Sequence, residues 1–156
     1  MVLRTPAKVN LVLEVLGKRP DGYHELSTVM QAVDLFDRLT VEAAGTITLE
    51  TSEPDLPTDD RNLVMRAARL LRDTAGVEAG ARIVLDKRIP VAAGLGGGSS
   101  DAAATLWGLN RLWGLRWRRE RLVELAVRLG MDVPFFLGRG RALGTSRGEV
   151  LRRLPG

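Results

Sequence analysis

The stretch Pro90-Val91-Ala92-Ala93-Gly94-Leu95-Gly96-Gly97-Gly98-Ser99-Ser100 constrains this chain more than any other feature. Four glycines fall within residues 94–98. Glycine loses more backbone freedom on folding than any other residue, so such a run is not a packed element. It follows an apolar strand pattern, ARIVLDK at 81–87, and precedes DAAATLWGLNRLW from 101, where Ala102, Leu106, Leu109 and Trp113 share one helical seam. A chain that leaves a strand through glycines and starts a helix presents free N–H groups and the positive end of the helix dipole to an anion. The glycines let a phosphate approach the backbone, and successive N–H groups form a nest around it. Ser99 and Ser100 add hydroxyls that can donate to phosphate or ligate a phosphate-bound Mg²⁺. The plain alternative is a flexible loop capped by serine. Two common phosphate loops do not fit. A Walker A loop needs a lysine after its last glycine, and a dinucleotide fingerprint counted from Gly94 needs glycine where Ser99 stands.

Composition narrows the chemistry further. The chain has 156 residues, which suits one domain large enough to bury a core unaided. It has no cysteine and one histidine, His24, which excludes disulfides, thiol catalysis and a multi-histidine metal site. No apolar run approaches membrane-spanning length, and the start MVLRTPAKVN has no signal-peptide pattern, so a cytoplasmic protein is expected. The formal charge of +4 is uneven: residues 111–156 hold 11 basic and 4 acidic side chains. A basic end suits nucleic acid, anionic small molecules or an ordinary arginine-rich surface. Nucleic-acid sites interleave aromatic with basic residues on one face. Here only Trp113 and Trp117 flank Arg111, Arg116, Arg118 and Arg119, so no nucleic-acid partner is expected.

Residues 7–16 alternate, with Ala7, Val9, Leu11, Leu13 and Val15 expected on a buried strand face. Pro20-Asp21-Gly22 signals a turn. RLTVEA at 38–43 and TITLE at 46–50 flank Ala44-Gly45 and read as a hairpin. A helix is expected from an N-cap at Asp59 or Asp60 to about Ala75, with Gly76 at its C′ position. RRERLVELAVRLG at 118–130 is another helix, Pro134 starts a short turn, and the C-terminal stretch reads as a strand or hairpin. Trp107 and Trp113 are expected in the core. Strands and helices that do not strictly alternate indicate α+β layers.

Three further places carry candidate chemistry. Lys8, one of three lysines, sits in an apolar strand with Asn10 on its face. That pair is either a solvated outer face or a cation aimed into a cleft beside an amide. Asp132, between Gly130 and Pro134, is either an N-cap or a poorly solvated general base. Tyr23 and His24, the only residues of their types, are either surface packing or a stacking and hydrogen-bonding substrate contact.

Four blocks, PAKVNLVLEVLGKRPDGYHEL at 6–26, DRNLVMRAARLL at 60–71, DKRIPVAAGLGGGSSDAAATL at 86–106 and LGMDVPFFLGRGRALGTSRGE at 129–149, resemble the GHMP kinase family. The glycine block is shared across that family. The PAKVNL, DGYHEL and DVPFF blocks together resemble its branch in non-mevalonate isoprenoid biosynthesis. The resemblance implies phosphorylation of the 2-hydroxyl of 4-diphosphocytidyl-2-C-methyl-D-erythritol by ATP with Mg²⁺. It implies catalytic roles for Lys8 and Asp132, an ATP loop from Pro90 to Ser100, nucleotide-pocket roles for Asn62 and Lys87, and substrate contacts from Asn10, Tyr23 and His24. The alternative is a catalytically silent nucleotide-binding fragment, or another small-molecule kinase of the family. The implied fold is a two-layer α+β N-terminal domain over residues 1–156, a mixed sheet on helices with a left-handed βαβ unit. Family members are about twice as long, so the C-terminal domain is expected to be missing, and Ser146 stands where glycine is common. Neither membrane nor nucleic-acid partners are implied, and oligomeric state is left open.

Overall fold

The computed structural model of the chain describes residues 1–138 and 140–154. Ten elements follow one another: β1 (Val2–Lys18), β2 (His24–Ala44), β3 (Ile47–Thr51), α1 (Leu63–Ala75), β4 (Gly80–Asp86), α2 (Gly97–Leu112), α3 (Arg119–Leu129), α4 (Val133–Phe136), β5 (Arg141–Ser146) and β6 (Val150–Arg153). The sheet runs β3-β4-β2-β5-β6, with β1 also paired to β2. β2 organises it. β1 lies antiparallel along β2 from residue 24 to residue 40, while β5 takes Leu26–Gln31 and β4 takes Arg38–Ala44. Residues 32–37 of β2 fall between the β5 and β4 ladders, and Asp37 lies in that gap.

One face of the sheet is apolar. Leu39, Val41, Ile83, Leu85 and Leu49 are buried against α1 and α2, together with Val64, Leu71, Leu106 and Leu109. The period-two alternation of strands places Arg82, Glu42 and Glu50 on the other face, where Arg82 bridges both glutamates across three strands. Helices on one side and charged residues on the other make two layers. Glycine at 108 lets α2 lie close to the sheet, since a Cβ there would stand 2.9 Å from Leu3 Cδ1.

The structure departs from the sequence pattern in four places. β3 does not form a hairpin with β2. It is parallel to β4, which lies between them, and α1 connects β3 to β4 as a βαβ unit. β4 is paired along both edges, with β3 on one side and β2 on the other, and β3 is the edge strand. The buried face of β1 ends near Val9, and Leu11, Leu13 and Val15 are exposed. Val12 and Leu16 on the opposite face are exposed too, so past the register shift between Asn10 and Val12 neither face of β1 is covered. The N-cap of α1 is Asn62 rather than Asp59 or Asp60. Its Oδ1 accepts from Val64 N at 2.9 Å, while Asp59 is held by Arg61. Trp107 is 40% exposed beneath the Arg111 guanidinium rather than buried. Gly76 ends α1 with φ 64°, as expected.

Two stability measurements test this core. Leu106→Ala, at a fully buried site, loses about 2–5 kcal/mol in urea unfolding. Asn62→Ala removes the α1 cap and costs about 1 kcal/mol. A Leu106→Ala variant as stable as the parent would contradict the packing described.

Candidate active site

The glycine loop is pinned on both sides. Before it, the backbone N–H groups of Arg88 and Ile89 donate to Asp37 Oδ1 at 2.5 and 2.8 Å. Beyond it, α2 starts at Gly97 with Gly96 as N-cap and no side-chain cap bond, which leaves its first N–H groups free for an anion. In between, Lys8 N donates to Leu95 O at 2.9 Å and binds the loop to the outer edge of β1. Gly96 has φ 70°, and a Cβ there would meet Lys8 Cγ and Phe136 Cζ at 3.0 Å. Only glycine suits that position, on backbone conformation and on space.

Pro90 to Ser99 line a cleft of about 350 Å³ with Leu56, Pro57, Arg61, Asn62 and Lys87. That volume is in the range of small-molecule sites. Ser100 lies on the other side of α2, in a second cavity beside Thr5 and Phe136, and its buried Oγ has no hydrogen-bond partner among the described residues. Asn62 faces the cleft, but its amide is committed to the α1 cap and to Pro57 O at 2.9 Å.

Lys8 and Asp132, 124 positions apart in sequence, meet beside the loop. Lys8 Nζ lies 3.0 Å from Asp132 Oδ2 and donates to Asn10 Oδ1 at 2.7 Å. Asn10 Nδ2 donates to Thr28 Oγ1, which donates to Val12 O, so the Asn10 amide is held with its oxygen toward the ammonium. Lys8 is only 6% exposed, whereas the Asp132 side chain is 35% exposed and reachable from solvent. Asp132 stands at the N-cap position of α4 but makes no capping bond, so its carboxylate is free for the lysine. Phe135 is buried against Met30 and Ala142, Phe136 packs edge-to-face on it at 5.1 Å, and the two rings seat α4 against sheet and loop.

Tyr23 and His24 are not brought to this pair. They stand at the outer end of the β1–β2 ladder, where His24 pairs with Lys18, ten residues along β1 from Lys8. Tyr23 is 54% exposed, with the Arg147 guanidinium over its ring at 4.9 Å. Arg19 joins this end to β5 through Glu25 and Ser146. Ser146 has φ 64°, a left-handed backbone that explains why glycine suits the position.

A buried ion cluster lies beneath the loop. Lys87 Nζ pairs with Asp37 Oδ2 at 2.5 Å and with Asp101 Oδ2 at 3.0 Å, and Thr5 Oγ1 donates to Asp101 Oδ1 at 2.7 Å. Burial pushes the Asp101 carboxyl up to about 6 against the opposing pull of the Lys87 charge and the Thr5 bond. For Lys87 burial acts downward, but the Asp101 charge and the bonds to both aspartates outweigh it and raise the ammonium above its ordinary range. Asp37, Thr5 and Thr28 were not singled out from the sequence, because a lone buried polar residue in a strand has no local signature. Among the described residues, no three His, Cys, Asp or Glu side chains gather as a metal cage. No helix among them is long and apolar enough to cross a membrane.

Comparisons with known proteins agree with this geometry. Residues 62–140 match the GHMP kinases N terminal domain. A 4-diphosphocytidyl-2-C-methyl-D-erythritol kinase of Pelotomaculum thermopropionicum is 58% identical over 95% of this chain and 52% of its own length. The kinase of the same name from Heliobacterium modesticaldum is 52% identical over 99% of this chain and 50% of its own. The chain thus spans about half the length of the curated relatives it matches. A crystal structure of 4-(cytidine 5'-diphospho)-2C-methyl-D-erythritol kinase superposes with a TM-score of 0.84 at 47% identity, over 99% of this chain and 55% of that one. From the glycine loop, the fold and these matches together, the chain belongs to the GHMP kinase family.

Proposed function

We propose that this chain carries the ATP-binding and catalytic part of a cytoplasmic small-molecule kinase that phosphorylates the 2-hydroxyl of 4-diphosphocytidyl-2-C-methyl-D-erythritol. The single observation that carries this reading is the Lys8–Asp132 pair beside the glycine loop, bound to it through Lys8 N and Leu95 O. The acceptor comes from the printed names of relatives at about half identity.

Phosphoryl transfer needs positioning and charge stabilisation more than covalent chemistry. The free N–H groups at the start of α2 hold the nucleotide phosphates, and the space over Gly94 is open for their approach. Asp132, the more exposed partner, accepts the proton of the acceptor hydroxyl at its carboxylate. Lys8, oriented by Asn10, stabilises negative charge on the transferring group. Asn62 and Lys87 contribute to the nucleotide pocket as wall, since their polar ends are bound elsewhere. Tyr23 and His24 serve the distant end of an extended substrate. Mg²⁺ keeps several waters and binds through phosphates and one or two protein oxygens. Ser99, which lines the cleft, would offer it a hydroxyl oxygen, and the ion would supply charge neutralisation on the phosphates.

Titration of the 156-residue chain with ATP, followed by ADP release on addition of the cytidine-containing acceptor, tests the reading. Asp132→Ala lowers turnover by about 10²–10⁴-fold with ATP affinity retained, and Lys8→Ala likewise reduces turnover. Gly96→Ala displaces Lys8 and weakens ATP binding. Absence of ATP binding by the parent chain overturns the proposal, and parent-level turnover in Asp132→Ala removes the general-base role.

A further inference from the structure

We propose that the cavity on the far side of α2 from the nucleotide cleft is a second ligand site, which takes an aromatic carboxylate. The cavity measures about 360 Å³, within the range of small-molecule sites. Trp107, Trp117 and Phe136 give it ring surface, and Leu3, Ala103 and Ala104 complete an apolar wall. Such rings meet a planar ligand in stacked or edge-to-face contacts that aliphatic walls do not offer. Two arginines, Arg4 and Arg119, line the cavity and no acidic residue does, so the charge that suits it is negative.

Most polar groups of the wall are already committed. Thr5 Oγ1 donates to Asp101, and the Arg4 guanidinium lies over the Phe36 ring at 3.9 Å. The Asn110 amide donates to Trp117 O at 3.1 Å and accepts from Trp117 N at 3.0 Å, which fastens the Trp117 backbone to α2 before any ligand arrives. Two groups remain. Arg119 donates through Nε to Leu137 O at 2.7 Å and makes no ion pair among the described residues, so its terminal nitrogens are left for a ligand. A guanidinium presents paired N–H donors in a fork that matches a carboxylate. Ser100 lines this cavity and not the nucleotide cleft, and its buried Oγ has no hydrogen-bond partner among the described residues. A buried hydroxyl without a partner is costly, and a polar atom of an occupant relieves that cost. Ser100 stands in the first turn of α2, and the Phe136 ring comes to 3.0 Å from where a Cβ on Gly96 would stand. An occupant therefore lies directly behind the glycine loop, in a site that does not depend on what the loop itself binds.

Calorimetric titration of the 156-residue chain with 2-naphthoate, and with 2-naphthamide as its uncharged counterpart, tests the inference. The carboxylate is expected to bind with a Kd of about 1 mM or tighter, ordinary for a ligand of that size. The amide is expected to bind about tenfold more weakly. Arg119→Gln is expected to bring the two affinities within about threefold of each other. A general loosening of the chain around Leu137 weakens both probes alike and does not change that ratio. Ala104→Leu, which fills the cavity from α2, is expected to weaken 2-naphthoate about tenfold or more with Tm close to the parent's. No binding of 2-naphthoate at about 5 mM by the parent chain overturns the inference. Equal affinity of the parent for both probes, a carboxylate preference kept by Arg119→Gln, or parent-level binding in Ala104→Leu does the same. If Ala104→Leu does not fold by circular dichroism, the ratio in Arg119→Gln decides alone.

Discussion

One ammonium group, Lys87 Nζ, lies where four elements meet. Asp37 reaches it from β2, Asp101 from α2, and Thr5 of β1 holds the second oxygen of Asp101, while Lys87 itself directly follows β4. Burying three charges costs several kcal/mol of desolvation per ion, and removing one member of such a group costs about 3–5 kcal/mol, because the partners remain buried and unpaired. A hydrophobic cluster of similar volume would fasten the same elements as well or better. The advantage of charge here is directional. Asp37 also accepts backbone N–H groups at the start of the loop, which an apolar group cannot do, and the loop therefore leaves β4 in a set path.

β1 transmits that order to the reacting pair. Over four residues it supplies Thr5 to the ion cluster, Lys8 N to Leu95 O, and the Lys8 side chain to Asp132. The loop, the cluster and the pair thus share a single strand whose position is fixed by its long ladder with β2. Gly96 completes the link, since the Lys8 stem and the Phe136 ring fill the space where its side chain would be. The outer part of β1 has no such support. Past the register shift after Asn10 it extends with Leu11, Leu13 and Val15 in solvent, and ends at Lys18, paired with His24 of β2.

Much of this was legible in residue patterns, where the cause is local. The glycine run between a strand and a helix, the Gly76 stop of α1, the α2 seam of Ala102, Leu106 and Leu109, and the C-terminal hairpin follow from backbone preferences and a 3.6-residue period. Where the cause was non-local, pattern reading failed. Residues 38–50 resemble a hairpin because each half is a good strand separated by a short turn, yet β4 takes the place between them. Trp107 resembles a core residue because it is large and apolar, yet it is 40% exposed and lies under the Arg111 guanidinium.

The amino-acid sequence by itself determined that a glycine-lined turn leads into a helix N-terminus, because glycine tolerance of unusual backbone and the free N–H groups of a helix start are properties of adjacent residues. It also limited the chemistry to amines, carboxylates and hydroxyls, since the chain has no thiol and only one imidazole. Only the tertiary structure decided which of those groups meet. Lys8 and Asp132 come within 3.0 Å of each other, and Lys87 turns its amine away from solvent toward two aspartates, because sheet order and helix packing bring distant segments together. Such encounters depend on long-range burial, which no window of neighbouring residues encodes.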